Sequence, residues 1–198
     1  KDNPARMYKD FIIPADSWGF ENGCRQIFTS WLFKEYFAGV DNVYEFGCGT
    51  GMFLAQIAQM FPKKEFHGID WIPASARIID KLGEVYGWNM KGHIFDMFSP
   101  DKNFKLKPKS GVLLFSALEQ LGTNFNAFLD YIISQKPDVV LVIDTLYEFY
   151  DETNLPDFLT MRFMSDRNFL RGFVDVLRRR EKDGQVKILK AHHSPIGS

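Results

Sequence analysis

The sequence predicts an α/β fold of the doubly wound kind, a mostly parallel sheet with helices on both faces and a last antiparallel strand that is short or missing. Three observations predict it. Short apolar runs of strand character alternate with amphipathic helical segments from residue 43 to residue 189, the pattern of parallel strands joined by right-handed crossovers. The first of these strands runs straight into a glycine turn, Gly47-Cys48-Gly49-Thr50-Gly51, and then into an apolar helix. Polar residues recur where strands end, namely Glu45, Asp70, Asp96, Ser116, Glu119, Asp144 and Glu148. Ligands of such sheets sit outside the carboxyl ends of the strands, at the point where the strand order reverses.

Length and composition bound the rest. A chain of 198 residues fits one domain with a sizeable core. With 24 basic and 25 acidic residues and a net charge of −1, no electrostatic footprint for nucleic acid is present. The one basic cluster, Arg178-Arg179-Arg180, closes a predicted helix and there complements its dipole. Two cysteines, Cys24 and Cys48, make no disulfide framework and have no metal-ligand spacing, which suits a reducing cytoplasm. No apolar run approaches the roughly 18–20 residues of a membrane span, and no signal peptide is visible. The sequence opens on Lys1 rather than Met, as a fragment or a processed product would.

Residues 1–21 show no period, although Tyr8, Phe11, Trp18 and Phe20 are large. A helix is expected over 22–37, with Ile27, Trp31 and Leu32 on one face, ended by Gly39. Residues 1–39 are thus read as an arm and helix, and 40–198 as the ligand-binding domain. The first strand, Val43–Phe46, and the glycine turn lead to a helix from Met52 to Phe61 that Pro62 stops. The second strand is Glu65–Ile69, ending in Asp70. A helix over 74–86 carries Ile78, Leu82 and Val85 at i, i+4, i+7 and is closed by Gly87. The third strand, His93–Phe95, ends in Asp96-Met97.

The fourth strand, Gly111–Phe115, is a continuous apolar run suited to burial on both faces. It delivers Ser116-Ala117-Leu118-Glu119. A strongly amphipathic helix follows over 124–135, with Phe125, Phe128, Leu129, Ile132 and Ile133 on its stripe. The fifth strand, Val139–Ile143, leads into an aromatic and polar insertion over about 146–165. A helix over 166–182 and a sixth strand, Val186–Leu189, complete the pattern.

The glycine turn carries the chemistry. Glycines let the backbone turn with positive φ and approach a ligand without a Cβ between, and the following helix aims free N–H groups at the same space. A dinucleotide fingerprint reads G-x-G-x-x-G. Here the pattern is G-x-G-x-G, with Glu45 two residues before the first glycine. An acid there is unhelpful beside a pyrophosphate and helpful beside a cation.

At these residues the segment resembles motif I of the class I methyltransferases that use S-adenosyl-L-methionine (SAM), E/D-x-G-x-G-x-G. The resemblance covers about residues 40–190 and implies a Rossmann-like methyltransferase fold, with SAM as cofactor and S-adenosyl-L-homocysteine (SAH) as product. It implies that Glu45, Gly47, Cys48, Gly49 and Gly51 form the cofactor loop. Asp70, 19 residues after Gly51, would accept hydrogen bonds from both ribose hydroxyls. Trp71 and Ile72 would flank the adenine, one apolar face each, Asp96 and Met97 would meet its amino group and ring, and Ser116 would line the same edge. An N-terminal segment often closes over the active site in this family, and residues 1–39 stand where that cover would be.

The end of the fourth strand speaks to the acceptor. The family's enzymes for exocyclic base amines carry Asn/Asp-Pro-Pro-aromatic there, whereas this chain has Ser116-Ala117-Leu118-Glu119-Gln120. That looks more like the turn of small-molecule O-methyltransferases, with Gln120 in place of their histidine. Together with the neutral charge it argues for a small polar acceptor, a hydroxyl of a sugar or natural product, and against nucleic acid or a membrane. The stretch from Tyr147 to Ser198 is similar to bacterial enzymes described as sugar O-methyltransferases.

A hydroxyl acceptor needs a base within reach, and Glu119, Glu148 and His192 are the candidates. Arg162 is a candidate for an anionic substrate group. No residue set reads as a metal site. Two other readings stay open: a non-catalytic module of this fold that binds SAM or a partner inside a larger protein, and an NAD(P)-dependent oxidoreductase, which the glycine spacing disfavours. Oligomeric state is not legible.

Overall fold

The computed structural model describes the backbone of residues 5–8, 11–14 and 18–193, with side chains from residue 23 to residue 193. Strands β1 (Ala5–Tyr8) and β2 (Phe11–Pro14) pair antiparallel, Tyr8 against Phe11. The segment read as irregular thus holds a hairpin built from β-branched and aromatic residues. Of the expected cover, residues 1–39, the side chains before residue 23 lie outside those described.

Helix α1 (Trp18–Phe37) begins earlier than expected and buries a different face. Leu32, Phe33 and Phe37 enter the core, while Ile27 is 75% exposed and Trp31 about half exposed. The Thr29 hydroxyl donates to Gln56 Oε1 at 3.0 Å, and the Gln56 amide donates to Ser30 Oγ at 2.8 Å. These bonds seat α1 on α2 (Met52–Met60).

Five strands make the main sheet: β3 (Asn42–Phe46), β4 (Glu65–Asp70), β5 (Met90–Ile94), β6 (Ser110–Phe115) and β7 (Val139–Ile143), in the order β5-β4-β3-β6-β7. Every pair is parallel, so all carboxyl ends share one edge. The order runs outward in both directions from β3 and β6, which places the switch point between them, as the doubly wound reading requires. Burial follows from that position. All five residues of β3 are buried, because both its faces carry helices.

Two apolar clusters fill the two faces. Phe33, Phe37, Val43, Leu54, Ile57, Phe66, Ile79 and Leu113 form one. Phe46, Ile69, Val112, Leu114, Phe128, Tyr131, Ile132 and Phe173 form the other. Helix α3 (Pro73–Tyr86) packs on the first cluster through Ala76, Ile79 and Gly83 rather than through the expected stripe, leaving Val85 62% exposed. The buried stripe lies one position further along because Gly92, Gly68 and Gly51 let α3 and Ile79 approach closely: a Cβ on Gly92 would stand 2.0 Å from Ala76 O. Helix α4 (Asn126–Gln135) buries Phe128, Leu129 and Ile132 as the sequence predicts.

The C-terminal third departs most from expectation. The insertion contains helix α5 (Leu155–Asp166), whose start signals were present as Asn154, Pro156 and Asp157. The expected helix over 166–182 is shortened to α6 (Phe173–Lys182). Left-handed backbone at Asn168 (φ 52°) and Gly172 (φ 76°) separates it from α5. Among the described residues no strand follows α6. The segment Val186–Leu189 is instead drawn back on its helix, where the Ile188 N–H donates to Glu181 Oε1 at 2.7 Å. Lys190 Nζ then sits over the Trp31 ring, 5.3 Å from its centroid. Among the described residues no helix is long and apolar enough to cross a membrane.

Candidate active site

The carboxyl edge of the sheet collects the residues singled out by the sequence. The glycine turn has left-handed backbone at Gly47 (φ 75°), Gly49 (φ 51°) and Gly51 (φ 75°), but the glycines serve different ends. A Cβ on Gly47 would lie 2.4 Å from the Cβ of Ala117, and one on Gly51 would lie 2.3 Å from Ile79 Cδ1. Those two are required by packing. A Cβ on Gly49 meets no protein atom within 4 Å, so packing does not explain that glycine. Its left-handed backbone favours glycine, and the open space leaves room for a ligand to approach.

Asp70 closes the turn from the next strand. Its Oδ2 accepts the Gly49 N–H and its Oδ1 the Ile72 N–H, each at 2.9 Å. The carboxylate is buried, so its remaining lone pairs have one direction in which to find donors. Trp71 beside it is 71% exposed, a large apolar ring standing at the strand end. Cys48 turns the other way: its thiol is buried in the core, burial pushes its pKa up, and its N–H is taken by Ile69 O. Its role in the loop is therefore structural.

Glu45 is 2% exposed and lies under the turn. The Leu54 amide, in the first turn of α2, bonds one side of its carboxylate, while Oε2 is buried with no partner. Burial pushes its pKa up to about 8, the Leu54 bond opposes this, and the neighbouring Asp70 charge adds to it. A buried acid with an unpaired oxygen is a receptor for a donor or cation.

Asp96 and Met97 follow β5. Asp96 is exposed, with Oδ1 accepting the Phe98 N–H at 2.8 Å. The Met97 methyl lies 4.0 Å from where a Gly47 Cβ would be. The third strand ends at Ile94 and begins at Met90, not at His93. Ser116 is exposed with left-handed backbone (φ 48°), and its N–H donates to Ile143 O at 2.9 Å. For a residue other than glycine, that conformation is held by its surroundings.

The ends of β6 and β7 are joined by two carboxylates. Asp144 accepts the Glu119 N–H at 3.2 Å, and the Ala117 and Leu118 amides bond the same group. Burial pushes its pKa up to about 8, against the three amides and with the Glu119 charge. Glu119 in turn is held by the hydroxyl and amide of Thr145, and burial pushes its pKa up as well. Glu148 sits in the short 3-10 helix Tyr147–Phe149, both its carboxylate oxygens buried and unpartnered. Thr145 and Asp144 were not picked out as partners of Glu119 by the sequence, because hydrogen bonding between separate strand ends leaves no local pattern.

The histidine candidate fares differently. His192 is exposed, and it is His193 that reaches the 3-10 helix, its ring 4.8 Å from that of Tyr150 and 6.5 Å from that of Phe149. Arg162 is exposed and 3.4 Å from Asp166 on its own helix, which removes the reason to reserve it for a substrate anion. Among the described residues no group of three or more His, Cys, Asp or Glu is placed to hold a metal ion. Two shallow hollows, beside Asn126 and Arg180 and beside Phe61 and Lys64, contain no residue of the strand ends.

No protein-family model matches the sequence, and no curated protein does. Solved structures do match. The O-methyltransferase of a trans-AT polyketide synthase multienzyme of Brevibacillus brevis, in complex with SAH, is 20% identical at a TM-score of 0.54 over 74% of this chain and 54% of its own. The plantazolicin methyltransferase BpumL, in complex with a pentazolic desmethylPZN analog and SAH, is 16% identical at 0.54 over 85% of this chain and 66% of its own. The [4+2]-cyclase SpnF is 14% identical at 0.56 over 72% and 51%. This chain spans about half to two thirds of the length of these structures. It has the Rossmann-like fold of the class I SAM-dependent methyltransferases. Since that fold also carries a cyclase, the reaction must be argued from the site.

Proposed function

We propose that this chain binds SAM at the glycine turn and transfers its methyl group to a hydroxyl of a small polar acceptor, a sugar or natural product. The observation that carries the proposal is the buried, unpaired Oε2 of Glu45, two residues before a glycine turn whose Gly49 is free of packing. An acid so placed fits the ammonium of SAM, and a glycine kept free of packing fits its close approach. Asp70 would hold the ribose through the lone pairs left over from Gly49 and Ile72. Exposed Trp71 would cover one face of the adenine, Met97 would line the other side, and Asp96 would accept from the amino group. Ser116 completes the edge. A NAD(P) reading finds no support here, because an unpaired acid at this point opposes a pyrophosphate.

When bound, SAM supplies a methyl group on a positively charged sulfur. Held by Glu45 and Asp70, it would supply that methyl to the acceptor oxygen, giving SAH and a methyl ether, and the hydroxyl proton would go to a base. Glu119 would take that duty; support comes from its being half-buried, held by Thr145 and with a pKa raised by burial, which brings a carboxyl closer to the working pH of a general base. Glu148 stands at the next strand end as the residue meeting the acceptor. His192, exposed beyond α6, is a third candidate, with the ring of His193 nearer to the site. Support for a small acceptor comes from the balanced charge and the absence of a Pro-Pro turn after β6. Both cysteines are free thiols, which supports placing the enzyme in the cytoplasm.

The test is calorimetric titration of the purified chain with SAH, with NADH run alongside. Micromolar binding of SAH alone is expected. NADH binding would move the oxidoreductase reading to the front. Silence from both would favour a non-catalytic module.

A further inference from the structure

The buried polar atoms of this protein that lack a partner are not spread evenly. Among the described residues seven such side-chain atoms occur, and five of them belong to four residues near the carboxyl end of β7: Asp144 Oδ2, Glu148 Oε1 and Oε2, Asn154 Oδ1 and Arg171 Nε. A buried polar group left unpaired is costly, and native proteins carry few of them. Five in one region call for a ligand.

These groups come together through the chain and through one aromatic ring. Asp144 ends β7 and Glu148 follows four residues later in the 3-10 helix. Asn154 is the residue before α5. Arg171, from the break before α6, lays its guanidinium over the ring of Tyr147 at 5.1 Å, and Tyr147 precedes Glu148 in the 3-10 helix. Asp144 is the fixed member, since the amides of Ala117, Leu118 and Glu119 bond its carboxylate while Oδ2 is left over. The region therefore adjoins Glu119 and the rest of the proposed site.

The composition of the set says what it takes. Three atoms, from Glu148 and Asn154, are oxygens that want donors, Arg171 Nε–H wants an acceptor, and Asp144 Oδ2 donates when protonated and accepts when ionised. A bare cation would satisfy the oxygens and be repelled by the guanidinium. A phosphate or carboxylate would satisfy Arg171 and be repelled by Glu148. A hydroxyl does both, donating to one neighbour and accepting from the other. Two adjacent hydroxyls match the mixture without stranding a charge.

We propose that Glu148, Asp144, Asn154 and Arg171 form the acceptor subsite, and that it grips a pair of neighbouring hydroxyls on a polyol or sugar. The inference rests on the methyltransferase reading of the adjoining cofactor site, and it assigns Arg171 and Asn154 a role that the sequence did not suggest. Glu148 and Arg171 bind rather than react. Their loss is expected to raise KM far more than it lowers kcat.

The experiment is saturation-transfer NMR on the SAH-loaded full chain with a defined panel: glucose, galactose, rhamnose and myo-inositol as polyols, putrescine as a cation, and inorganic phosphate as an anion. At least one polyol is expected to give signals, with neither putrescine nor phosphate competing. Arg171→Met and Glu148→Ala are each expected to weaken that polyol at least 10-fold, and Glu148→Gln, which keeps one acceptor oxygen, to weaken it less. Calorimetric SAH binding, measured on the same samples, should be unchanged in all three variants. Binding of putrescine or phosphate instead of the polyols overturns the inference, as does indifference to the variants. SAH binding with no polyol bound overturns it and leaves the cofactor reading intact. Loss of SAH binding in the parent sinks the cofactor reading itself.

Discussion

Asp70 Oδ2, at the end of β4, accepts the N–H of Gly49, in the turn after β3, at 2.9 Å. One carboxylate thus holds the tip of the glycine turn in its left-handed conformation and keeps lone pairs for a ligand. Asp70→Ala is expected to lose both functions. Removing a charged acceptor typically costs about 1.5–3 kcal/mol, or roughly a 10- to 100-fold weaker Kd for SAH. Titration calorimetry measures it, and a Kd equal to the parent's would show that the ligand does not sit at Asp70.

Gly49 and Gly51 separate binding from folding. At Gly51 an added methyl collides with Ile79 Cδ1, so Gly51→Ala should lower stability by about 1–3 kcal/mol through overpacking. At Gly49 the space is open, so Gly49→Val should cost folding only the strain of left-handed backbone, about 1–2 kcal/mol. SAH binding should nevertheless be abolished. Thermal melts paired with SAH titrations distinguish the two variants.

Glu45 is held neutral at pH 7, its pKa pushed up to about 8 by burial. An ammonium beside Oε2 favours the ionised form and lowers that pKa, so binding at pH 7 is expected to release a proton. Calorimetry in buffers of different ionisation enthalpy reads the release as a buffer-dependent heat. Glu45→Gln should remove the dependence and weaken binding.

Asp144 and His67 shape stability in opposite directions. Asp144 has its folded pKa raised to about 8 from an ordinary 3.8, so the folded protein holds the proton more tightly than the unfolded chain. The stability this contributes is full below about pH 4 and is lost as the pH rises through 8. Asp144→Asn keeps an acceptor for the three amides, so its melting temperature should gain on the parent's between pH 5 and 8. His67 has its pKa lowered to about 4 from 6.5, chiefly by burial. Its contribution is full above pH 6.5 and is lost as the pH falls through 4.

The surroundings of His67 give that loss a physical cause. Its ring stacks on Tyr44 with centroids 4.2 Å apart, and Nδ1 lies 3.0 Å from His93 Nε2. Nε2 approaches Glu65 Oε1 at 3.2 Å without the alignment of a hydrogen bond. His67→Phe should remove part of the acid-side decline in melting temperature, and an unchanged acid limb would exonerate His67.

Glu119→Gln is expected to spare SAH binding and to lower turnover roughly 100-fold once an acceptor is in hand, the lower end of what a general base contributes. Equal turnover would make Glu119 a structural brace between Thr145 and β6.

Much of this molecule was legible in the sequence. The five parallel strands, the glycine turn and the acids at strand ends follow from local pattern, because apolar runs, glycines and chain direction are properties of contiguous residues. Asp70 could be placed by counting, since a strand–turn–helix unit fixes how far apart its ends lie. Other features were decided only by tertiary structure. The buried faces of α1 and α3 shifted from the expected stripes, and for α3 Gly68 and Gly92 on the sheet set how closely the helix approaches. Val186–Leu189 has the composition of a strand, yet Glu181 takes its amide and no neighbour pairs with it. Asp144, Glu148 and Asn154 follow one another after β7, but Arg171 joins that stretch only through its contact with the Tyr147 ring. Burial without a partner is a relation between segments distant in sequence, and only the folded chain brings them together.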